Sequence, residues 1–375
     1  MSSIKYLCLD DEPEASQSTP SGIEKSGVPI EFRHPKSFET EAKECEKAFR
    51  DNKYDGLILD LRLDQKGTID EPLVAYRASS LAQHLRTLSA EATIPSFPII
   101  LWSTDNKLKK SYRNDKAGHD LFDLVIDKSI VPDDPTAFAL QLKALSLGYK
   151  TLASHLKGQS SAEVVLQIPE GAVKRLDPRF FSYFNRFSKP MHGHAYARSI
   201  LTKLIFGPGI LVNEATVAAR LGVDPNKSTG WSALLSKISK SSSYKGPFHE
   251  AWPRWWLAGL DNWWETKIKS EINYLQMEAN QRIALLKSEL KASDLVAAKP
   301  IHGDHSTRFS TTCFATAVAL DQSDGFAVEE IGAEPWQGRF YVSRQVALKP
   351  FKFSFDRKID PLELSRLDSF KRKSS

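Results

Sequence analysis

Gly56-Leu57-Ile58-Leu59-Asp60-Leu61-Arg62-Leu63 decides how the first 150 residues are read. A β-rich apolar run of strand length ends in an aspartate. Three other runs follow the same grammar. Ile4-Lys5-Tyr6-Leu7-Cys8-Leu9 leads into Asp10 and Asp11, Phe97-Pro98-Ile99-Ile100-Leu101-Trp102 into Ser103, and Leu124-Val125-Ile126 into Asp127-Lys128. Laid side by side these strands make a parallel sheet. In open α/β sheets a site gathers beyond the carboxyl ends of the strands, so the spacing predicts that Asp10, Asp11, Asp60, Ser103 and Lys128 converge there. The expected result is an acidic pocket holding one hydroxyl and one amine.

The stretches Leu9-Asp10-Asp11-Glu12-Pro13, Leu57 to Leu63, Ile99-Ile100-Leu101-Trp102-Ser103-Thr104 and Val125-Ile126-Asp127-Lys128, in that order, resemble the receiver domain of two-component response regulators. The resemblance covers about the first 150 residues. It implies a doubly wound, flavodoxin-like five-stranded parallel sheet in which Asp60 accepts a phosphoryl group from a histidine kinase or phosphotransfer protein. It further implies that Asp10 and Asp11, with Asp60, bind Mg²⁺, and that Lys128 and Ser103 contact the phosphoryl oxygens. The chemistry asks for these residue types. Phosphoryl transfer spreads charge over the equatorial oxygens, so a hard cation and an ammonium are what stabilise it. Crowded carboxylates suit Mg²⁺, and an aspartate is a known kind of phosphoryl-accepting nucleophile.

Three features depart from the family pattern. Ser129 follows the lysine where receivers usually carry proline, Val125 stands where an aromatic switch residue is usual, and the segment from Asp64 to Pro72 is longer than usual.

Composition bounds the rest. The 375 residues are enough for two domains, and 41% hydrophobic content is ample for packed cores. No apolar run reaches the eighteen or so residues needed to span a bilayer, and the first residues lack a signal-peptide layout. Cys8, Cys45 and Cys313 are scattered, which fits a reducing cytoplasm with no disulfide framework. The net charge of +5 is unevenly spread. Residues 1–150 hold 20 Lys+Arg against 24 Asp+Glu, whereas residues 151–375 hold 31 against 22. The second half is therefore basic, compatible with a polyanion or an acidic protein surface.

Asp134-Pro135 opens a helical pattern in which Phe138, Leu142, Leu145, Tyr149, Leu152 and Leu156 recur until Gly158 ends it. The expected division is a receiver over residues 1–158 and an α+β output domain over 159–375, helical first and antiparallel β at its end. Within the output half, Asn213 to Val223 reads as a capped helix stopped by Gly222, and Thr229 to Ile238 as a second helix. The pair resembles a helix-turn-helix, with Lys227, Lys237, Lys240 and Lys245 as phosphate contacts and Asn226, Ser228 and Thr229 near base edges. Trp252, Trp255, Trp256, Trp263 and Trp264 recur at helical steps, which predicts one aromatic helix face for a protein partner, in a helical region running to about Ala297. Such length also invites pairing between two chains. His192-Gly193-His194 and His302-Gly303-Asp304-His305 are the candidates for a second metal site. Strands are expected at Phe314–Leu320, Phe340–Val342, Gln345–Leu348 and Phe351–Phe355, followed by a disordered basic tail.

Three output functions follow from these patterns: protein binding through the tryptophan face, DNA binding through residues 213–240, or a metal-dependent hydrolase built on the histidines.

Overall fold

A computed structural model describes residues 4–11, 20–25, 27–64, 74–104, 120–270, 272–290, 294–303, 305–330, 332–348 and 358–374. The chain forms two compact units, one of residues 1–166, 183–201 and 246–252, the other of 167–182, 202–245 and 253–375.

The first unit is an α/β sandwich. Strands β1 (Tyr6–Leu9), β2 (Ile30–Arg33), β3 (Gly56–Asp60), β4 (Ile99–Ser103) and β5 (Leu124–Asp127) form one all-parallel sheet in the order β2-β1-β3-β4-β5. β1, β3 and β4 are buried along their whole length, as their unbroken apolar runs require when helices cover both faces. Leu7, Leu9, Leu57, Leu59, Ile99 and Leu101 pack against Phe38–Arg50 and Ala78–Ala90. Alternate residues turn to the opposite face, where the Tyr6 hydroxyl donates to the Leu142 carbonyl and accepts from Ser146 in helix Pro135–Lys157. That helix begins where its signals put it, with the Asp134 carboxylate accepting from Ala137 N, and it is followed by Gly158.

A single boundary at residue 158 does not describe this unit, because later segments complete it. Helix Gly193–Ser199 packs on Pro135–Lys157 and Ala78–Ala90. Phe248 lies so close to Gly148 that a Cβ there would stand 2.2 Å from its ring.

The second unit is α+β. Helices Glu214–Leu221, Trp231–Ser242, Leu257–Lys267 and Ala279–Leu290 supply most of its core. Asn213 caps the first of these by accepting from Thr216 N, and Gly222 ends it at φ +72°. Among the described residues its strands form three antiparallel pairs: β6 (Leu211–Val212) with β7 (Trp255–Trp256), β8 (Thr311–Thr312) with β9 (Ala319–Leu320), and β10 (Gly325–Ala327) with β11 (Tyr341–Ser343).

Several expectations change here. The Phe314–Leu320 strand is mostly a turn, since Ala317 N donates to the Cys313 carbonyl and Cys313 N to that of Val318, leaving strand only at its end. Gln345–Leu348 lies within helix Arg344–Leu348, and Phe351–Phe355 falls outside the described residues. The basic tail is helix Leu364–Ser374, held by buried Leu367 and by Phe370 edge-on to Phe326. The long helical region is interrupted, with Lys269 at φ +53° and a short 3₁₀ turn at Tyr274–Gln276 before helix Ala279–Leu290. Among the described residues no helix is long and apolar enough to cross a membrane. Cys8, Cys45 and Cys313 are free and buried.

Candidate functional site

The switch point of the first sheet lies between β1 and β3, where the strand order reverses, and there the α/β architecture opens a crevice at the carboxyl ends. Asp10 and Asp11 follow β1, Asp60 ends β3, Ser103 ends β4, and Lys128 follows β5. Pairing registers align Cys8 with Ile58, Ile58 with Ile100, and Asp60 with Trp102. Two residues further along, Asp10, Asp60 and Trp102 therefore occupy one row on one face of the sheet.

All five predicted side chains lie in this unit, and three meet directly. Lys128 Nζ stands 2.6 Å from Asp10 Oδ2 and 2.7 Å from Asp60 Oδ1. The other Asp60 oxygen accepts the Arg62 backbone N–H at 2.9 Å. Burial alone would lower the Lys128 ammonium, but Asp60 and then Asp10 outweigh it and raise it, so the amine is a fixed cation. Asp11 is buried beside this group, and the Ser103 hydroxyl is buried with no hydrogen-bond partner among the described residues. Lys128 opens a 3₁₀ turn, Lys128–Asp133, capped by the Asp127 carboxylate accepting from Ser129 N. Serine in place of proline thus leaves a backbone N–H that tightens the turn carrying the lysine.

The sequence reading overlooked Trp102. Its ring lies 5.3 Å from the Lys128 ammonium, its indole is buried, and Nε1 has no hydrogen-bond partner among the described residues. An aromatic inside an apolar strand carries no signal that separates it from core.

Chemically, the site brings the buried carboxylates of Asp10, Asp11 and Asp60 to the Lys128 ammonium, while the Arg62 guanidinium is engaged by Asp64 at 2.7 Å. Carboxylate oxygens are the donor kind that a hard divalent cation takes. Among the described residues no three His, Cys, Asp or Glu side chains are grouped as a metal-holding set; the cation between Asp10 and Asp60 is Lys128.

The other candidates separate. His192 and His194 belong to the first unit, His302 and His305 to the second, and Asp304 lies outside the described residues. His194 has a structural occupation: Nδ1 meets the Tyr149 hydroxyl at 2.9 Å and Nε2 the Asp120 carbonyl at 2.9 Å. Burial and then Arg86 push its imidazole below the ordinary range. The rings of His302 and His305 are 5.0 Å apart, and no metal-holding group forms around them among the described residues.

The tryptophans form no partner face. Trp252 falls in the first unit, Trp255 and Trp256 are strand residues, and Trp263 and Trp264 sit in Leu257–Lys267. All five are at most 9% exposed. The three- and four-residue steps that suggested one helix arise from an extended pair followed by a helix, and the aromatic area is spent on cores.

The helical pair at 213–242 does form. Lys237, Lys240 and Lys245 are exposed, while Lys227 is exposed but paired with Asp224 at 2.9 Å. Ser228 is not available to a base, being buried and donating to the Asp224 carbonyl at 2.7 Å.

No protein-family model matches the chain, and no curated protein matches it. Two solved RitR mutants are similar in structure. The cysteine-to-aspartate mutant shows 12% identity and a TM-score of 0.28, over 40% of this chain and 56% of that one. The cysteine-to-serine mutant shows 12% identity and a TM-score of 0.28, over 41% and 56%. This chain thus spans a little over half the length of either RitR chain, and a likeness of this size identifies neither a family nor an activity.

Proposed function

We propose that the first unit is a phosphoacceptor switch of the response-regulator type, with Asp60 as acceptor and a histidine kinase or phosphotransfer protein as donor. The observation that carries this reading is the buried Asp60 carboxylate with the Lys128 ammonium 2.7 Å from one oxygen, at the switch point of a 2-1-3-4-5 parallel sheet. An Asp60 oxygen attacks the phosphorus of the donor's phosphohistidine. A P–O bond forms, the P–N bond breaks, and its electron pair leaves on the imidazole, which takes up a proton. Hydrolysis of the acyl phosphate by water returns the carboxylate and inorganic phosphate. Lys128 supplies positive charge to the phosphoryl oxygens, and the orphaned Ser103 hydroxyl has donor capacity free for one of them. Asp10, Asp11 and Asp60 are the residues whose oxygens would hold Mg²⁺, which would supply charge against that of the phosphoryl oxygens; as they are not grouped as a metal-holding set among the described residues, no step is assigned to the ion.

Phosphorylation at Asp60 adds charge beside Asp10 and the lysine, and so biases the carboxyl-end loops between two arrangements. Intact-mass analysis of the full chain with acetyl phosphate and Mg²⁺ tests the reading: one phosphoryl adduct on the native protein and none on Asp60→Asn. An adduct that persists in Asp60→Asn, or none on either, overturns it.

A second reading concerns output. The exposed Lys237 and Lys240 on a helix that follows a capped helix and turn favour duplex DNA as the target of the basic unit. Fluorescence anisotropy with mixed duplex DNA should show affinity falling steeply with salt, and a flat, weak response removes this output.

A further inference from the structure

Trp102 is a large side chain beside the site's ammonium that the phosphoacceptor chemistry leaves unassigned. Its backbone pairs with Asp60 in register, so strand alternation puts the indole in the same row as the acceptor. The ammonium has three N–H groups. Asp10 and Asp60 stand at 2.6 and 2.7 Å, and the ring centroid at 5.3 Å is within the range in which an aromatic face attracts a cation.

The choice of tryptophan also needs a reason. An indole buried to 1% exposure with its N–H unpaired among the described residues has lost water at that N–H, as the core residues Trp256 and Trp264 have too, so what marks Trp102 is the ring's contact with the ammonium. Phenylalanine would fill such a position with no N–H to desolvate. What tryptophan adds over phenylalanine is the stronger π face. Lys128 itself needs a support outside its own loop. It begins a six-residue 3₁₀ segment, with four methylenes between backbone and charge, and the two carboxylates that hold it are themselves the reacting and metal-facing groups.

We propose that Trp102 is a positioning residue whose indole face holds the Lys128 ammonium over the Asp60 carboxylate, fixing where the phosphoryl oxygens meet positive charge. The proposal rests on the phosphoacceptor reading for its consequence, but the contact can be measured without it. Full-length Trp102→Leu and Trp102→Phe separate the π face from bulk, since both lose volume and only phenylalanine keeps a ring.

The first measurement needs neither Mg²⁺ nor a phosphodonor. Competitive acetylation at a single pH, mapped by peptide mass and normalised to exposed Lys237, reads how firmly Lys128 is held. Trp102→Leu should raise the relative reactivity of Lys128 about fivefold, with Trp102→Phe recovering at least half of that protection. The second is the acetyl phosphate labelling rate, which should fall about fivefold in Trp102→Leu at saturating donor, with little change in the donor concentration for half-maximal rate. Thermal unfolding of each variant checks that the fold is kept. Equal Lys128 reactivity in all three proteins overturns the proposal, and so does a phenylalanine variant no better than the leucine one, which would make Trp102 plain packing. Absence of labelling in the native protein, with Lys128 protection lost in Trp102→Leu, instead sinks the phosphoacceptor reading and leaves the positioning contact standing.

Discussion

At the scale of single residues, the central fact is one lysine held between two buried carboxylates. Asp10 and Asp60 are fully buried, and the ammonium that touches both is what makes their burial tolerable. Lys128→Met should therefore act twice. It should slow labelling at Asp60 about a hundredfold by removing positive charge from the developing oxygens. It should also destabilise the metal-free protein, by up to about 3–5 kcal/mol, as expected for removing one partner of a buried ion pair. Denaturant titration with and without millimolar Mg²⁺ checks this, and a variant as stable as the native chain would show that water already compensates the acids. A different titration belongs to His194. Its folded-state value is depressed, so the neutral ring is what the fold favours. That contribution is complete above the unfolded value near 6.5 and is lost as pH falls through the lower folded one. Burial alone would raise the Asp123 carboxyl, but Arg86, helped by His194 and Tyr149, holds it well below the ordinary range, so its loss comes only at stronger acid. Thermal unfolding of the first unit should thus show an early decline below about pH 6.5 that His194→Gln removes.

At the scale of elements, boundaries written in local chemistry were legible, and those set by distant packing were not. Asn213, Gly222, Asp134 and Gly158 mark helix ends through hydrogen bonds and φ values that depend on neighbours in sequence, and each end stands where those residues put it. Asn213→Ala should accordingly cost about 1 kcal/mol. Gly222→Ala should cost more, because the position is left-handed and its Cβ would stand 2.8 Å from the Ala279 backbone. The acidic site was legible for the same reason, since each of its side chains terminates an apolar run. Trp102 was not, because cation contact is a property of two strands and a loop together. The tryptophan cluster misled because steps of three and four residues fit both a single helix and a strand running into one. Trp256 decides between these: it is fully buried, pairs with Leu211 and lies edge-on to Phe180. Trp256→Ala should cost about 3–5 kcal/mol and abolish the cooperative unfolding of the second unit, the outcome for core and not for a docking face.

At the scale of the whole molecule, the two compact units are not two successive stretches of chain, and this changes both the charge balance and what can be cut. Assigned by unit, the first holds 24 Lys+Arg against 26 Asp+Glu and the second 27 against 20, so the basic character still belongs to the second unit but is smaller than a cut at residue 150 implies. The cut itself makes the sharper prediction. Ending the chain at residue 158 keeps every strand of the sheet and every residue of the acidic site, yet removes His194, which meets Tyr149, and Phe248, which fills the space Gly148 leaves open. Tyr149 would then lose one partner of its hydroxyl while keeping Asp123, and a flank of helix Pro135–Lys157 that the full chain buries would face water. Apolar area returned to water costs about 25 cal/mol per Å², so losing the cover of even a few side chains removes several kcal/mol from a unit of this size. Fragment 1–158 should unfold at a markedly lower temperature than the first unit does within the full chain, while Asp60 labelling, set at the opposite ends of the strands, should survive below that temperature. Differential scanning calorimetry paired with intact-mass labelling measures both. An equally stable fragment would mean that residues 183–201 and 246–252 rest on the first unit without supporting it; a fragment that folds but does not label would mean that they help shape the site.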